Sequence, residues 1–126
     1  MCLTTITQRI EKPSKKATKA WKWFRKNSEG KLELPYFYFI HPIPIIEGKW
    51  TKAIEQKLYS ATGEEYTSGF HCYTNKEQAE NYHRNDSTAV LIEVKVKEIT
   101  TYGTQYLINI CDVLVAKQIL IPKSIK

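Results

Sequence analysis

The sequence predicts an α+β fold, with a mainly antiparallel sheet of about five or six strands and two or three helices. Residues 92–97 alternate between apolar and charged side chains, which is typical of a strand with one buried and one wet face. Residues 113–121 form a nearly continuous apolar run, as expected for a central strand. Helical spacing and a capping motif elsewhere indicate the helices.

The chain has 126 residues, of which 42% are hydrophobic and 25% charged, and these values predict one domain spanning 1–126. Within it we expect a leading segment at 1–13 and a frayed tail at 123–126. No apolar run reaches membrane-spanning length, and the opening residues do not lead us to expect a secretion signal. The cysteines Cys2, Cys72 and Cys111 form no CxxC pair. We therefore expect a cytoplasmic protein with no disulfide, no metal and no cofactor.

The first predicted helix follows Ser14, whose hydroxyl can cap a free amide. Ala17, Ala20, Trp21 and Phe24 recur at helical spacing, and the turn at residues 27–30 ends the segment. A strand is the alternative, because Trp21 alternates with the next tryptophan and the turn would begin a hairpin into residues 31–34.

The middle of the chain begins with an aromatic strand at 36–40 that ends at His41. Gly48 marks a turn, residues 51–60 match a short helix, and residues 63–65 read as a polar loop.

The second half begins with a short strand at 68–73. Thr74 and Glu77 match a capping box, which predicts a helix from there to about Arg84. Three strands follow, at 92–97, 106–110 and 113–121. Tyr102-Gly103 is expected to turn the chain between the first two, and Asp112 to lie in the connection before the third.

Positive charge is concentrated at the front of the chain. Residues 1–32 contain nine Lys or Arg and two Glu, whereas the remaining residues contain ten basic and eleven acidic groups. Lysines neutralise phosphates and tryptophans stack on bases, so this segment suggests a nucleic-acid or anion contact. The alternative is an amphipathic element whose aromatic rings pack on the sheet. The predicted contact residues are Lys15, Lys16, Lys19, Trp21, Lys22, Arg25 and Lys26.

Catalytic chemistry has few candidates. Cys2 would carry a free α-amine after removal of the initiator methionine, as N-terminal nucleophiles do. His41, His71 and His83 are possible general bases or hydrogen-bonded structural residues. No two of these histidines stand at the spacing of metal ligands.

Residues 69–121 resemble small uncharacterised phage and prophage proteins, which carry Gly-Phe-His, a short helix, a Val-rich strand and a final strand like Val115-Ala116-Lys117-Gln118-Ile119. The opening Met1-Cys2-Leu3 also looks like that group. This resemblance implies a phage accessory protein acting in the host cytoplasm.

A second likeness is to the ADP-ribosyltransferase fold. That likeness places His41, Tyr73 and Gln105 at a nicotinamide dinucleotide cleft. Gln105 replaces the glutamate of that family and is neutral, so the likeness implies ligand binding rather than transfer. The predicted ligand-binding residues are His41, His71, Tyr73 and Gln105.

Together these observations predict a non-catalytic, phage-type accessory binding protein that acts on a host protein or sequesters a nucleotide-like anion. One alternative is a nucleotide-processing enzyme related to ADP-ribosyltransferases. The other is a nucleic-acid-binding protein that uses the basic front segment.

Overall fold

The computed structural model describes residues 3–33, 46–54, 56–81, 89–106 and 110–123. Within these ranges the fold is mostly antiparallel sheet with a single short helix, so the predicted α+β class with two or three helices is wrong. The elements in chain order are β1 (Thr5–Arg9), β2 (Thr18–Lys26), β3 (Leu32–Glu33), β4 (Trp50–Lys52), β5 (Lys57–Tyr59), β6 (Glu65–Thr67), β7 (Phe70–Tyr73), α1 (Lys76–Asn81), β8 (Ala89–Tyr106) and β9 (Ile110–Leu120).

Two long strands organise the main sheet. β8 and β9 pair from Lys95 opposite Leu120 to Tyr106 opposite Ile110. The other edge of β8 pairs with β2 along its first half and with β1 along its second half. The other edge of β9 likewise pairs first with β7 and then with β4. β3 pairs with the end of β2, and β5 and β6 form a separate two-stranded sheet.

The main sheet closes on itself, because β2 and β7 meet at a bridge between Trp21 and Tyr73. The pairings β8–β2, β2–β7, β7–β9 and β9–β8 therefore form a complete circuit. The side chains inside it form an inner core of Ala20, Phe24, Phe70, Cys72, Val94, Val96, Leu114, Ala116, Ile119 and Ile121. An outer core lies where α1, β6 and Leu3 cover the outside of the sheet, and it contains Leu3, Tyr66, Tyr73, Ala79, Cys111, Val113 and Val115.

Strand β2 replaces the predicted first helix. Its alternate residues Ala20, Lys22 and Phe24 are buried on the inner side, whereas Trp21 and Trp23 pack into the outer core. Because both faces are covered, apolar residues occur at adjacent positions and imitate helical spacing. The alternative that the sequence left open, a strand and an Asn/Gly hairpin, is the arrangement found.

Strands β4 and β5 lie where a helix was predicted over 51–60, of which residue 55 is outside the described residues. β4 adds to the edge of β9, and β5 turns back into β6 through Gly63 at φ +85°. Leu58 and Tyr66 occupy paired positions in that hairpin, and both pack into the outer core. Ala53, just after β4, packs against the inner core, whereas Leu58 in β5 packs against the outer core, so apolar residues of this range are buried in different places.

The predicted turn at Tyr102-Gly103 is likewise wrong, since both residues lie within β8. A β-carbon on Gly103 would overlap the carbonyl oxygen of Thr5, so this glycine allows β1 to approach closely. Asp112 lies within β9 and not in a connection before it. Of the predicted strand at 106–110, Tyr106 ends β8 and Ile110 begins β9, and residues 107–109 lie outside the described residues. β8 bends instead at a register shift between Ile99 and Thr101 and at Glu98, which has φ 58°.

Helix α1 is capped by Asn75, whose Oδ1 accepts a hydrogen bond from the amide of Gln78 at 3.0 Å. The cap is thus one residue later than predicted. Ala79, on this helix, is buried. The predicted aromatic strand at 36–40 and the end of the predicted helix at 82–84 lie outside the described residues. In the described part of the chain, no helix is long and apolar enough to cross a membrane.

The predicted leading segment contains β1, which pairs with β8 through Thr5 to Arg9. Leu3, just before it, is 1% exposed, and its carbonyl accepts a hydrogen bond from the amide of Ala61. Part of this segment is therefore built into the sheet and the outer core.

Candidate functional site

The predicted ligand-binding residues that the structure describes lie in the interior. His71, Tyr73 and Gln105 are 6%, 1% and 2% exposed. Tyr73 pairs with Val113 and Gln105 with Cys111, so all three side chains are on the face that α1, β6 and Leu3 cover. The structure thus brings them onto one face, but beneath other elements. His41 lies outside the described residues.

His71 is part of a buried hydrogen-bonded chain. Its Nε2 lies 2.9 Å from the hydroxyl oxygen of Tyr66, which also accepts a hydrogen bond from the amide of Leu3 at 2.9 Å. Burial, reinforced by the positive charge of Lys22, lowers the pKa of His71 from 6.5 to about 3. The imidazole is therefore neutral at physiological pH and joins β7 to β6 and the start of the chain.

The predicted basic contact residues are divided between the two sides of the sheet. Lys15, Lys16, Lys19 and Lys26 are exposed, and Arg25 is half-buried. Lys22 is only 7% exposed, and its Nζ donates a hydrogen bond to the carbonyl oxygen of His71 at 2.7 Å. Its ammonium group therefore serves the junction between β2 and β7 rather than the outer surface.

The predicted stacking residue Trp21 is half-buried and packs into the outer core. The adjacent Trp23 does the same, and its Nε1 donates a hydrogen bond to the carbonyl oxygen of Ala79 at 3.0 Å. The hydrogen bond of Trp23 thus holds the helix on the sheet, and both indoles of β2 are taken up by packing.

A different basic surface lies on the outside of four neighbouring strands. One row crosses the sheet from Lys19 on β2 to Lys95 on β8, Leu120 on β9 and Trp50 on β4. A second row joins Lys97, Gln118 and Lys52. Paired residues project to the same side of a sheet, so these side chains share one face. We call Lys19, Lys52, Lys95, Lys97 and Trp50 the lysine–tryptophan face.

Positive charge dominates the lysine–tryptophan face. Lys19 and Lys95 are directly opposite each other on adjacent strands, an arrangement of like charges that destabilises a sheet. Glu93, at a neighbouring position, lies 3.8 Å from Lys19 in an exposed ion pair. The four lysines of the face and Glu93 together carry a net charge of +3, and Glu98, Lys15 and Lys16 border them.

Trp50 is joined to the same charges. The Nζ of Lys97 lies 4.3 Å from the centre of the Trp50 ring, within the range of a cation–π interaction. Exposed Lys15 and Lys16 border the face, because the carbonyl oxygen of Ser14 accepts a hydrogen bond from the amide of Glu98, next to Lys97. The face therefore combines a positive surface with an aromatic ring.

Sequence reasoning found only part of this surface. Lys19 and the bordering Lys15 and Lys16 were among the predicted contacts, whereas Lys52, Lys95, Lys97 and Trp50 were not. The sequence did contain a signal, because within residues 92–97 apolar side chains alternate with charged ones that face solvent. The positions that this strand faces on β2, β9 and β4 depend on long-range register, which periodicity does not contain.

Groups suited to nucleophilic or metal chemistry are not assembled in the described residues. Burial raises the pKa of Cys72 to about 11, and burial together with Asp112 raises the pKa of Cys111. Both thiols are therefore protonated at neutral pH. No cluster of three or more potential metal ligands occurs in the ranges described above. Cys2 and His83 lie outside those ranges.

Similarity to known proteins adds nothing to this geometry. The resemblance of residues 69–121 to phage proteins, and the likeness to ADP-ribosyltransferases, stay predictions from the residues alone. No protein-family model, curated protein or solved structure matches this chain.

Proposed function

We propose that this protein is a non-catalytic binding protein that holds a polyanion on its lysine–tryptophan face. The observation that carries the proposal is the directly opposed pair Lys19 and Lys95. Opposed like charges cost folding stability, the exposed ion pair with Glu93 offsets only part of the charge of Lys19, and a bound anion neutralises the remaining positive charge. Lys52 and Lys97 extend the positive charge across two further strand pairings.

The burial of the predicted ligand-binding residues favours an extended polyanion over a small nucleotide as the ligand. A small nucleotide needs a concave site with convergent polar groups. His71, Tyr73 and Gln105, which were the predicted polar groups, are buried on the face that α1, β6 and Leu3 cover. An extended polyanion needs only an exposed surface of regularly spaced charges, which adjacent strands provide at about 4.8 Å intervals.

The test compares two variants of equal net charge. One replaces Lys19, Lys52 and Lys95 by Gln; the control replaces Lys31, Lys57 and Lys76, which are 77%, 78% and 63% exposed and lie outside the face. Heparin binding is measured against salt concentration. The wild type and the control should lose affinity steeply with salt, whereas the face variant should bind weakly, with a log–log salt slope smaller by roughly 2.

Thermal unfolding of both variants shows whether the sheet is retained. The proposal predicts that the face variant is at least as stable as the control, because it removes the opposed pair. Equal heparin affinity in the two variants would show that the face is not the binding surface. Heparin binding by the wild type that does not change with salt would exclude a charge-based contact altogether.

A further inference from the structure

Trp50 distinguishes the lysine–tryptophan face from a merely positive surface. It lies on the outermost of the four strands, opposite Leu120, in the same row as Lys95 and Lys19. The side chain is half-buried, so part of the indole remains accessible to solvent. Lys97 contacts its ring at 4.3 Å, which holds the indole beside the lysines.

An aromatic ring among regularly spaced cations matches a ligand that has both phosphates and flat rings. Phosphates satisfy the lysines, and an unpaired base offers a planar surface to the indole. In a duplex the base faces are already stacked on one another, and a lipid headgroup surface has no such rings. An acidic peptide supplies charge without a regular series of rings.

The cation–π contact indicates how such a ligand is accommodated. An ammonium group interacts with the ring through its negative face, which is also the surface on which a base stacks. When a base replaces Lys97 at the indole, the released ammonium can reach the phosphate of the same strand. One exchange therefore provides both a stacking contact and a charge contact.

We infer that the polyanion is single-stranded nucleic acid, with Trp50 stacking on a base and Lys19, Lys52, Lys95 and Lys97 contacting the backbone. This inference rests on the proposed function, because it identifies the ligand of the same face. It also separates the two roles: the lysines provide affinity for any polyanion, and the indole provides the preference for unpaired bases.

The experiment uses two ligands with the same phosphates. Binding of the full chain to a single-stranded oligothymidine of about 12 nucleotides is compared with binding to an abasic oligomer of equal length. The wild type should bind the oligothymidine roughly 5- to 150-fold more tightly, the range of one stacked base. In Trp50→Ala that preference should disappear while affinity for the abasic oligomer is retained, and Trp50→Phe should restore part of it.

The outcomes distinguish this inference from the proposed function. Equal binding of both oligomers by the wild type, or tighter binding of duplex DNA than of oligothymidine, would overturn the single-strand inference and leave the polyanion function standing. Binding to vesicles of phosphatidylserine and phosphatidylcholine, without binding to oligothymidine, would likewise overturn the single-strand inference and leave the polyanion function standing. If neither the oligomers nor heparin bind, the proposed function fails as well.

Discussion

At the scale of single residues, His71 shows how burial changes the role of a residue that suggests catalysis. A histidine on a short strand reads as a possible general base near neutral pH, but here desolvation and Lys22 keep the imidazole neutral. The imidazole ring of His71 contacts the hydroxyl of Tyr66, and the backbone carbonyl oxygen of His71 accepts the hydrogen bond from Lys22. One residue thus connects the outer core to the junction of β2 and β7.

The lowered pKa of His71 predicts a specific loss of stability in acid. Between pH 6.5 and about 3 the unfolded chain binds a proton at this residue and the folded chain does not. Stability therefore falls as the pH falls through this window, and this group contributes a loss of about 2 kcal/mol by pH 5. Urea unfolding at pH 7 and pH 5 should show a larger loss in the wild type than in His71→Gln, by about that amount. An equal loss in both proteins would contradict the buried, neutral imidazole.

At the scale of elements, β1 depends on a glycine in the middle of β8. Gly103 pairs with Ile6, and the carbonyl oxygen of Thr5 occupies the space that a β-carbon would need. The side chain of Leu3 also packs against this position. β1 and the outer core therefore meet at a residue that has to lack a side chain.

Gly103→Ala should consequently detach β1. We expect it to lower the free energy of unfolding by about 2–3 kcal/mol, because backbone must move to make room. Amide exchange should accelerate in Thr5–Arg9. The control is Gly30→Ala, which has open space around it and only the penalty of a left-handed backbone, about 1 kcal/mol. Unchanged exchange in β1 would argue against this account.

The burial of each strand's two faces explains which elements could be predicted from the sequence. The strand at 92–97 was identifiable because one of its faces is wet, so its charges alternate with its apolar residues. β2 was not, because Trp21 and Phe24 are buried on opposite sides of it. β4 and β5 are too short for a period to be measurable, and they are stabilised by pairing with distant or neighbouring strands rather than by local preference.

At the scale of the whole molecule, the fold depends on contacts between distant parts of the chain. β1 pairs with β8 at positions such as Thr5 and Thr104, and the circuit is completed only when Trp21 meets Tyr73. The candidate site has the same origin, since its lysines come from β2, β4 and β8. Sequence patterns identified charges on single strands, but the shared face arises from their register.

This topology predicts slow folding. Chain entropy is lost in closing long loops before the distant strand pairs form, so we expect refolding on the order of milliseconds to seconds. Stopped-flow refolding after a brief unfolding pulse isolates this phase, because the prolines have no time to isomerise. Refolding complete within microseconds would contradict a rate limited by distant strand pairing.

The opposed pair of Lys19 and Lys95 has a consequence for any attempt to make this protein more robust. Selection for thermostability alone would favour replacing one of these lysines by a neutral or acidic residue, since that change relieves repulsion across the strands. On the proposed function, the resulting variants would be those with weakened polyanion binding. Heparin affinity should therefore be measured alongside melting temperature whenever a stabilised variant has lost either lysine.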